Sequence, residues 1–230
     1  MIAALASALV LALVPVPSLD GPVVDRAGVL GPSEKARLDD LARAARDANG
    51  GKGPQLGFLI VPSLDGEPIE SFSIRVAEAW KLGAETRDDG LLFVVSIEDR
   101  AARIEVGGGL EGDLTDVQAG RIIRDRMLPA FRQGAYGAGL QAGAADALSQ
   151  LGVDAGQPPP RDGGAPINPL ILAVVLVAFA IGARFLGIPI RFGGPGGFGG
   201  FGGGGRRGGG GGGYRGGGGG FSGGGASGRW

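Results

Sequence analysis

The acidic and basic side chains best suited to chemistry concentrate in one stretch of this 230-residue chain. The stretch contains Asp88, Asp89, Glu98, Asp99, Arg100, Arg103, Glu105, Glu111, Asp113 and Asp116. Carboxylate oxygens are the ligands that hard cations such as calcium and magnesium prefer. An arginine beside such a cation would orient a phosphate group. These residue types therefore point to a cation site or to metal-assisted phosphoryl hydrolysis.

Several other kinds of chemistry are excluded by composition. The sequence contains no cysteine and no histidine. This removes disulfides, thiolate nucleophiles, the usual zinc sites and the Ser-His-Asp triad. The formal net charge is -1, so the chain lacks the overall basic field that nucleic-acid binders use. Any reaction must depend on carboxylates, arginines, hydroxyl groups or a bound cation.

A predicted β-hairpin decides which acidic residues can meet. Residues 90–97 and 102–106 read as paired strands, and the two ends of a strand lie far apart. We therefore expect Asp88 and Asp89 to lie near the glycine loop that carries Glu111 and near the helix start at Asp116. These four residues are the predicted ligands of Ca²⁺ or Mg²⁺. The alternative, equally open at this point, is a set of separately solvated turn and capping residues.

Arg100 and Arg103 are the candidate residues for orienting a phosphorylated substrate. Arg100 lies in the predicted hairpin turn, and Arg103 lies in the second strand. The alternative is that both are exposed partners of Glu98 and Glu105. The sequence shows no nucleophile or general base, which a phosphatase requires, so the question of enzymatic activity stays open.

Hydrophobic periodicity predicts the elements that must position these residues. Helices are expected from Pro32, from Pro68, after the Thr115-x-x-Gln118 capping box, and over residues 136–151, with Pro129 interrupting. Buried strands are expected at 56–61 and 90–97, a half-exposed strand at 102–106 and a short strand at Val23-Val24. This order predicts an α/β fold in which a small mixed β-sheet has helices packed on its faces.

The ends of the chain have a different character. Residues 1–17 resemble a secretory signal peptide or an uncleaved signal anchor. Residues 152–166 form a Pro/Gly linker, and residues 167–190 are predicted to be one transmembrane helix. The segment after Ala183 carries six arginines and no acidic residue, which predicts a cytoplasmic tail and an extracytoplasmic domain in a single-pass cell-membrane protein.

The glycine-rich segment 191–230 is predicted to be disordered. Its glycines are interspersed with arginines and aromatic residues, a composition similar to that of segments that stack on single-stranded nucleic acid. With so few arginines, nucleic-acid binding is not expected. A flexible tail that contacts itself or anionic lipid is the favoured interpretation.

Several motifs together resemble the TPM-domain family. They lie at residues 21–30, 89–92, 103–112 and 122–131, and they occur in the expected order within residues 21–151. The end of the chain, residues 220–230, also looks like that of bacterial members, which carry an export signal, the domain, a transmembrane helix and a glycine-rich end. One departure is Gly108, where the family often has an aromatic residue.

The resemblance implies an α/β sandwich, divalent-cation binding near the acidic loops, and two competing functions. Some relatives act as accessory factors for membrane proteins without catalysis, and plant thylakoid relatives are associated with phosphatase activity. The first hypothesis is therefore a cation-binding envelope module that assists assembly or maintenance of membrane proteins, with the lipid bilayer and other membrane proteins as partners. The second is a Ca/Mg-dependent phosphatase acting on phosphomonoesters.

Overall fold

Strand pairing organises the part of the chain that the computed structural model describes, residues 13–154 and 214–230. The strands in these residues are β1 (Val23–Asp25), β2 (Gln55–Val61), β3 (Gly90–Ser96), β4 (Ala101–Gly107) and β5 (Phe221–Arg229). They form one sheet in the order β1-β2-β3-β4-β5. β1, β2 and β3 are parallel, whereas β4 is antiparallel to both of its neighbours. The predicted mixed sheet is confirmed.

Helices cover both faces of this sheet. They are α1 (Pro32–Gly51), α2 (Ile69–Trp80), α3 (Asp116–Ile122), α4 (Leu128–Phe131) and α5 (Tyr136–Gln150). Leu38, Ile122 and Leu140 from α1, α3 and α5 share one apolar core with Phe58 and Phe93 of the sheet. Helix α2 packs on the opposite face and forms a second core. The sheet is therefore buried on both faces, as the continuous apolar runs of β2 and β3 predict.

Local sequence signals explain where several helices begin and end. Pro32 opens α1, and the regular helix ends where Asn49 and Gly50 adopt positive φ angles of 54° and 71°. At the start of α3, Thr115 and Gln118 form the predicted reciprocal capping box. Pro129 was expected to interrupt the helix that follows Thr115, but the helical structure continues through it. Its missing N–H is accommodated by a π-helical turn, Ile123–Met127, that continues into α4.

The prediction that β4 is half exposed is wrong. Every residue of β4 is buried, including Glu105 at 0% exposure and Arg103 at 8%. Alternation of polar and apolar residues normally marks a strand with one solvated face. Here helix α2 covers the polar face, and β5 covers the outer edge. The charged side chains must therefore satisfy each other inside the protein.

The prediction of a disordered tail is wrong for its last residues, which form β5 in the same sheet. Hydrogen-bonded strands of one chain occupy the same compartment. The pairing therefore places residues 221–229 in the same compartment as the domain. The physical reason for the error is that glycine-rich composition indicates a flexible chain only where nothing pairs with its backbone.

The segment that precedes β1 belongs to the domain as far as it is described. The indole Nε1 of Trp80 donates to the Pro17 carbonyl at 2.8 Å, and Arg75 Nη2 donates to the Val14 carbonyl at 2.9 Å. Val14 and Pro17 of the predicted signal segment thus contact α2. No helix within residues 13–154 and 214–230 has the length and apolar character to cross a membrane. The predicted transmembrane helix at 167–190, most of the 152–166 linker and residues 1–12 lie outside the described residues.

Candidate functional site: the β4 edge and the acidic loops

The C-terminal segment, residues 214–230, contains β5, which lies along the outer edge of β4. The register runs from Ala101 opposite Arg229 to Gly107 opposite Phe221, with an irregularity between Glu105 and Gly107. Because the other neighbour of β4 is β3, its outer edge would otherwise present unpaired N–H and C=O groups. The segment therefore completes the sheet with a strand that is remote in sequence.

An aromatic side chain anchors the beginning of this segment. Tyr214 is 4% exposed, and its hydroxyl donates a 2.6 Å hydrogen bond to the Leu56 carbonyl. The Arg46 guanidinium lies 5.8 Å from the centre of its ring. Burial raises the pKa of Tyr214 to about 12, so the phenol is neutral at physiological pH. The backbone that follows is also held, since Gln55 Nε2 donates to the Arg215 carbonyl at 2.8 Å.

A second aromatic side chain anchors the end. The Trp230 ring packs edge-on against Phe131 with 5.0 Å between ring centres, and Tyr136 lies 6.1 Å away. The Trp230 backbone N–H donates to the Arg100 carbonyl at 3.1 Å. Edge-to-face aromatic pairs contribute about 0.5–1.5 kcal/mol beyond their buried area. The segment is thus held at both of its ends.

Glycines between the anchors permit contacts that other residues would prevent. A Cβ atom at Gly216 would overlap the Trp80 carbonyl, and one at Gly219 would overlap the Leu82 carbonyl. Gly225 has a φ of 135°, and a Cβ there would overlap the Ile104 carbonyl. Glycine is required here for both close approach and conformation. The glycine-rich composition is therefore a packing requirement in this part of the tail.

Three of the four predicted metal ligands contact this segment. Asp88 accepts a 2.6 Å hydrogen bond from the Gly220 N–H, and Asp116 accepts one of 2.7 Å from the Gly225 N–H. Glu111 accepts a short hydrogen bond from the Ser222 hydroxyl. The loops do converge on one side of the β4 edge, as the hairpin argument predicted. What they share in the structure is the backbone and a hydroxyl of the C-terminal segment.

Asp89, the fourth predicted ligand, has a different role. It is 6% exposed, and its two oxygens accept from the Ala84 N–H at 2.7 Å and from Arg87 Nε at 2.6 Å. These bonds fix the turn that precedes β3. Within the described residues, no group of three or more acidic side chains is arranged to hold a metal ion. The sequence argument thus named the loops that border β5, but it did not give the contacts that their carboxylates make.

The two candidate phosphate-orienting arginines lie in different environments, since Arg100 precedes β4 and Arg103 is a residue of β4. Arg100 is exposed at the hairpin turn, and its φ of 49° places it in the left-handed region. The acidic loops lie at the opposite end of β4, about 20 Å away for a seven-residue strand. Arg100 is therefore not positioned beside the predicted ligands.

Arg103 is held in a buried ion pair. Its Nε lies 2.5 Å from Glu105 Oε1, and its Nη2 lies 3.1 Å from Glu105 Oε2 and 3.3 Å from the Gly223 carbonyl. The hydroxyl of Ser73 on α2 also donates to Glu105 at 2.5 Å. The prediction of Glu105 as its partner is correct, but the prediction of an exposed arginine is wrong. The pair joins β4 to α2 and to the C-terminal segment.

A further contact to α2 was not anticipated from the sequence. The Ser227 hydroxyl donates to Glu70, and this hydrogen bond lowers the pKa of the Glu70 carboxyl, although partial burial acts in the opposite direction. Sequence reasoning also missed Ser73, Tyr214 and Trp230. For Tyr214 and Trp230, the available signal is the presence of aromatic residues among the tail glycines.

Comparison with known proteins identifies the domain. The family model described as the TPM domain matches residues 23–150. The chain belongs to the TPM-domain family. That match covers β1 to α5 and excludes the C-terminal segment. The expected resemblance is therefore confirmed, and no curated protein matches the chain.

Two solved structures resemble the TPM domain. The N-terminal domain of a protein from P. gingivalis is 34% identical, with a TM-score of 0.52 over 58% of this chain and 83% of that one. The N-terminal domain of a protein from Corynebacterium glutamicum is 16% identical, with a TM-score of 0.45 over 65% of this chain and 90% of that one. The first of these supports the fold of the α/β part.

Proposed function

We propose that this chain is a non-catalytic accessory factor of the cell envelope whose TPM domain acts by binding an extended polypeptide along β4. The observation that carries the proposal is the pairing of the whole length of β4 with a segment from the far end of the chain. Addition of a strand to a sheet edge is a recurring mode of peptide recognition. The main-chain hydrogen bonds supply affinity, and neighbouring pockets supply specificity.

The acidic loops form one rim of this proposed binding edge. Asp88 and Asp116 accept backbone N–H groups of the bound segment, so these contacts are made to the main chain of an extended peptide. Charge-assisted hydrogen bonds of this kind are stronger than neutral ones. The rim therefore suits the binding of polypeptide backbone, in keeping with partners that are other membrane proteins.

Divalent-cation binding by Asp88, Asp89, Glu111 and Asp116 stays a prediction. Three of these carboxylates bond to the C-terminal segment, and Asp89 bonds to Arg87. A calcium or magnesium ion that used them would replace those hydrogen bonds. We therefore expect cation binding to compete with docking of the C-terminal segment. NMR titration with each ion would show it as coupled shifts in the acidic loops and in β5.

The phosphatase alternative receives less support from the geometry. Arg103 is engaged with Glu105, and Arg100 lies at the other end of β4. Among the described residues, Ser73 is a buried hydroxyl beside a carboxylate, but it donates to Glu105 beneath α2 at 0% exposure. A nucleophile must reach the substrate. The non-catalytic function is therefore preferred.

We further propose that the TPM domain and residues 214–230 both lie on the extracytoplasmic side. The apolar run within residues 1–17 supports export of the domain, and β5 must accompany its paired strand. Residues 191–213 contain no second apolar run that would return the chain across a bilayer. We therefore propose that residues 167–190 attach the protein to the membrane without placing the C terminus in the cytoplasm.

The test combines an activity assay with a binding assay. The full chain is incubated with a phosphomonoester in the presence of calcium or magnesium, and no turnover is expected. A chain ending at Gly213 is then examined for binding of extended peptides by NMR, with perturbation of β4 amides as the expected result. Turnover that disappears in Asp88→Asn would overturn the proposal, as would failure of every peptide to perturb β4 in a chain whose circular dichroism shows it to be folded.

A further inference from the structure

The path of residues 214–230 across the domain carries more information than strand pairing alone. Before β5, Gly218 N donates to the Lys81 carbonyl and Gly219 N donates to the Gly83 carbonyl, both at 3.0 Å. The segment therefore follows the backbone of the turn between α2 and β3 before it reaches β4. Together with the Tyr214 and Trp230 anchors, these contacts define a continuous track, which we call the tail track.

The tail track selects sequence mainly by excluding side chains. Carbonyl groups of Trp80, Leu82 and Ile104 occupy the places that a Cβ would need at Gly216, Gly219 and Gly225. These obstacles are backbone atoms, which cannot move aside as a flexible side chain can. A typical strand of alternating apolar residues would not fit. The tail track therefore suits a glycine-rich segment with an aromatic residue at each end.

The same segment is present on every copy of the chain. Residues 155–213, 59 in number, connect the two described parts. The 35 of these residues that lie outside the predicted membrane segment 167–190 span about 120 Å when fully extended, more than the size of the domain. The C-terminal segment can therefore reach the tail track of a neighbouring copy. Exchange of an identical element between copies forms a dimer at low cost, because every contact is preserved.

We propose that the tail track is a binding site selective for this glycine-rich C-terminal segment, and that its exchangeable partner is the same segment of a second copy. The resident segment of each copy acts as the competitor that an incoming one must displace. This inference rests on the proposed function and names the partner for it. At low protein concentration a copy's own segment wins, because its effective concentration is high, and exchange increases when copies are crowded.

Disulfide trapping between two differently marked copies tests the exchange. The chain has no cysteine, so introduced cysteines report without interference. One copy carries Ala101→Cys and the other carries Arg229→Cys, which are paired residues of β4 and β5. An in-register strand pair brings Cα atoms into the range that a disulfide accepts. A mixed sample should form an inter-copy disulfide whose yield rises with protein concentration.

Matched controls separate exchange from collision and from indiscriminate binding. A copy with Gln150→Cys, exposed at the end of α5, replaces the Arg229→Cys copy to measure collisional cross-linking. Adding Gly225→Val to the Arg229→Cys copy should lower the yield by about tenfold or more, since a side chain is excluded there. A free peptide of residues 214–230 should compete with the cross-link.

The outcomes are distinguishable from failure of the proposed function. A yield no higher than that of the Gln150→Cys control, or an equal yield with Gly225→Val, would overturn the exchange. If the exchange fails but the chain ending at Gly213 still binds other glycine-rich extended peptides, the proposed function survives that result. If it binds no peptide at all, both are overturned. Should that chain not fold, the Gly225→Val full chain, with its own segment displaced, takes its place in the peptide assay.

Discussion

The two edge strands of the sheet are stabilised in different ways. At one edge, β1 is three residues long, and Val23 and Val24 each enter one of the two apolar cores. At the other edge, β5 is nine residues long and consists largely of glycine and serine. It is held by backbone hydrogen bonds, by aromatic anchors and by contacts with acidic side chains. The β1 edge is stabilised by buried side chains, whereas the β5 edge is stabilised by close contact between the backbones of β5 and β4.

This difference has a consequence for stability. A strand that contributes side chains to the core should unfold only with the whole domain. A strand that contributes mainly backbone to an edge should open locally, at a lower free energy than global unfolding. We therefore expect changes at β1 to alter global stability and changes within β5 to alter local opening. The following predictions test that distinction in order of decreasing effect.

The largest effect is expected from the buried pair on which β5 rests. Glu105→Ala leaves the Arg103 guanidinium buried without its carboxylate. Breaking a buried pair in this way costs about 3–5 kcal/mol. Urea denaturation would measure the decrease in the free energy of unfolding. The double variant Arg103→Met, Glu105→Leu should recover most of the lost free energy of unfolding. If Glu105→Ala lowered the free energy of unfolding much less than Val24→Ala does, the role of the pair would be contradicted.

A smaller and local effect is expected at the glycine edge. Gly225→Ala adds a Cβ against the Ile104 carbonyl at a φ of 135°, and strain of this kind costs about 1–3 kcal/mol. Amide hydrogen exchange should show faster exchange in β5 and the outer side of β4. The control is Gly220→Ala, whose Cβ would lie 3.3 Å from the movable Asp88 carboxylate. Equal effects of the two substitutions would show that close backbone approach does not hold the strand.

At the opposite edge, Val24→Ala should act on the whole domain. Val24 is 5% exposed, and removal of two buried carbon atoms costs about 1.6 kcal/mol. The free energy of unfolding should fall by this amount. The ratio of amide hydrogen exchange rates between β5 and the rest of the sheet should not change. A change confined to β1 amides, with unaltered global stability, would remove the distinction between the two edges.

The smallest effect under physiological conditions is the pH dependence of the Tyr214 anchor. Burial raises the pKa of Tyr214 from about 10 to about 12, so the neutral phenol stabilises docking. This contribution is complete below pH 10 and is lost as the pH rises through 12. Tyrosinate absorbance in a Tyr136→Phe background would report ionisation of Tyr214. Trp230 fluorescence in a Trp80→Phe background would report release of the C-terminal segment. Tyr214→Phe should abolish the alkaline release, whereas release unchanged by that substitution would exclude Tyr214 as its cause.

The local elements were largely predictable because their sequences carry side-chain patterns. The apolar runs of β2 and β3 and the capping box at Thr115 all describe interactions between neighbours in the chain. The same reasoning brought Asp88, Glu111 and Asp116 toward one end of β4. It could not supply the partners of these residues, since Gly220, Ser222 and Gly225 are more than one hundred residues away.

The sequence by itself determined the family, the mixed sheet with helices on its faces and the loops that surround the β4 edge. Only the tertiary structure decided that Arg103 and Glu105 are buried together and that the glycine-rich end of the chain is a strand. The physical reason is the same in both cases. The sequence shows that a residue is polar or that a segment is rich in glycine. It does not show which distant backbone or side-chain groups will form hydrogen bonds with that residue or segment.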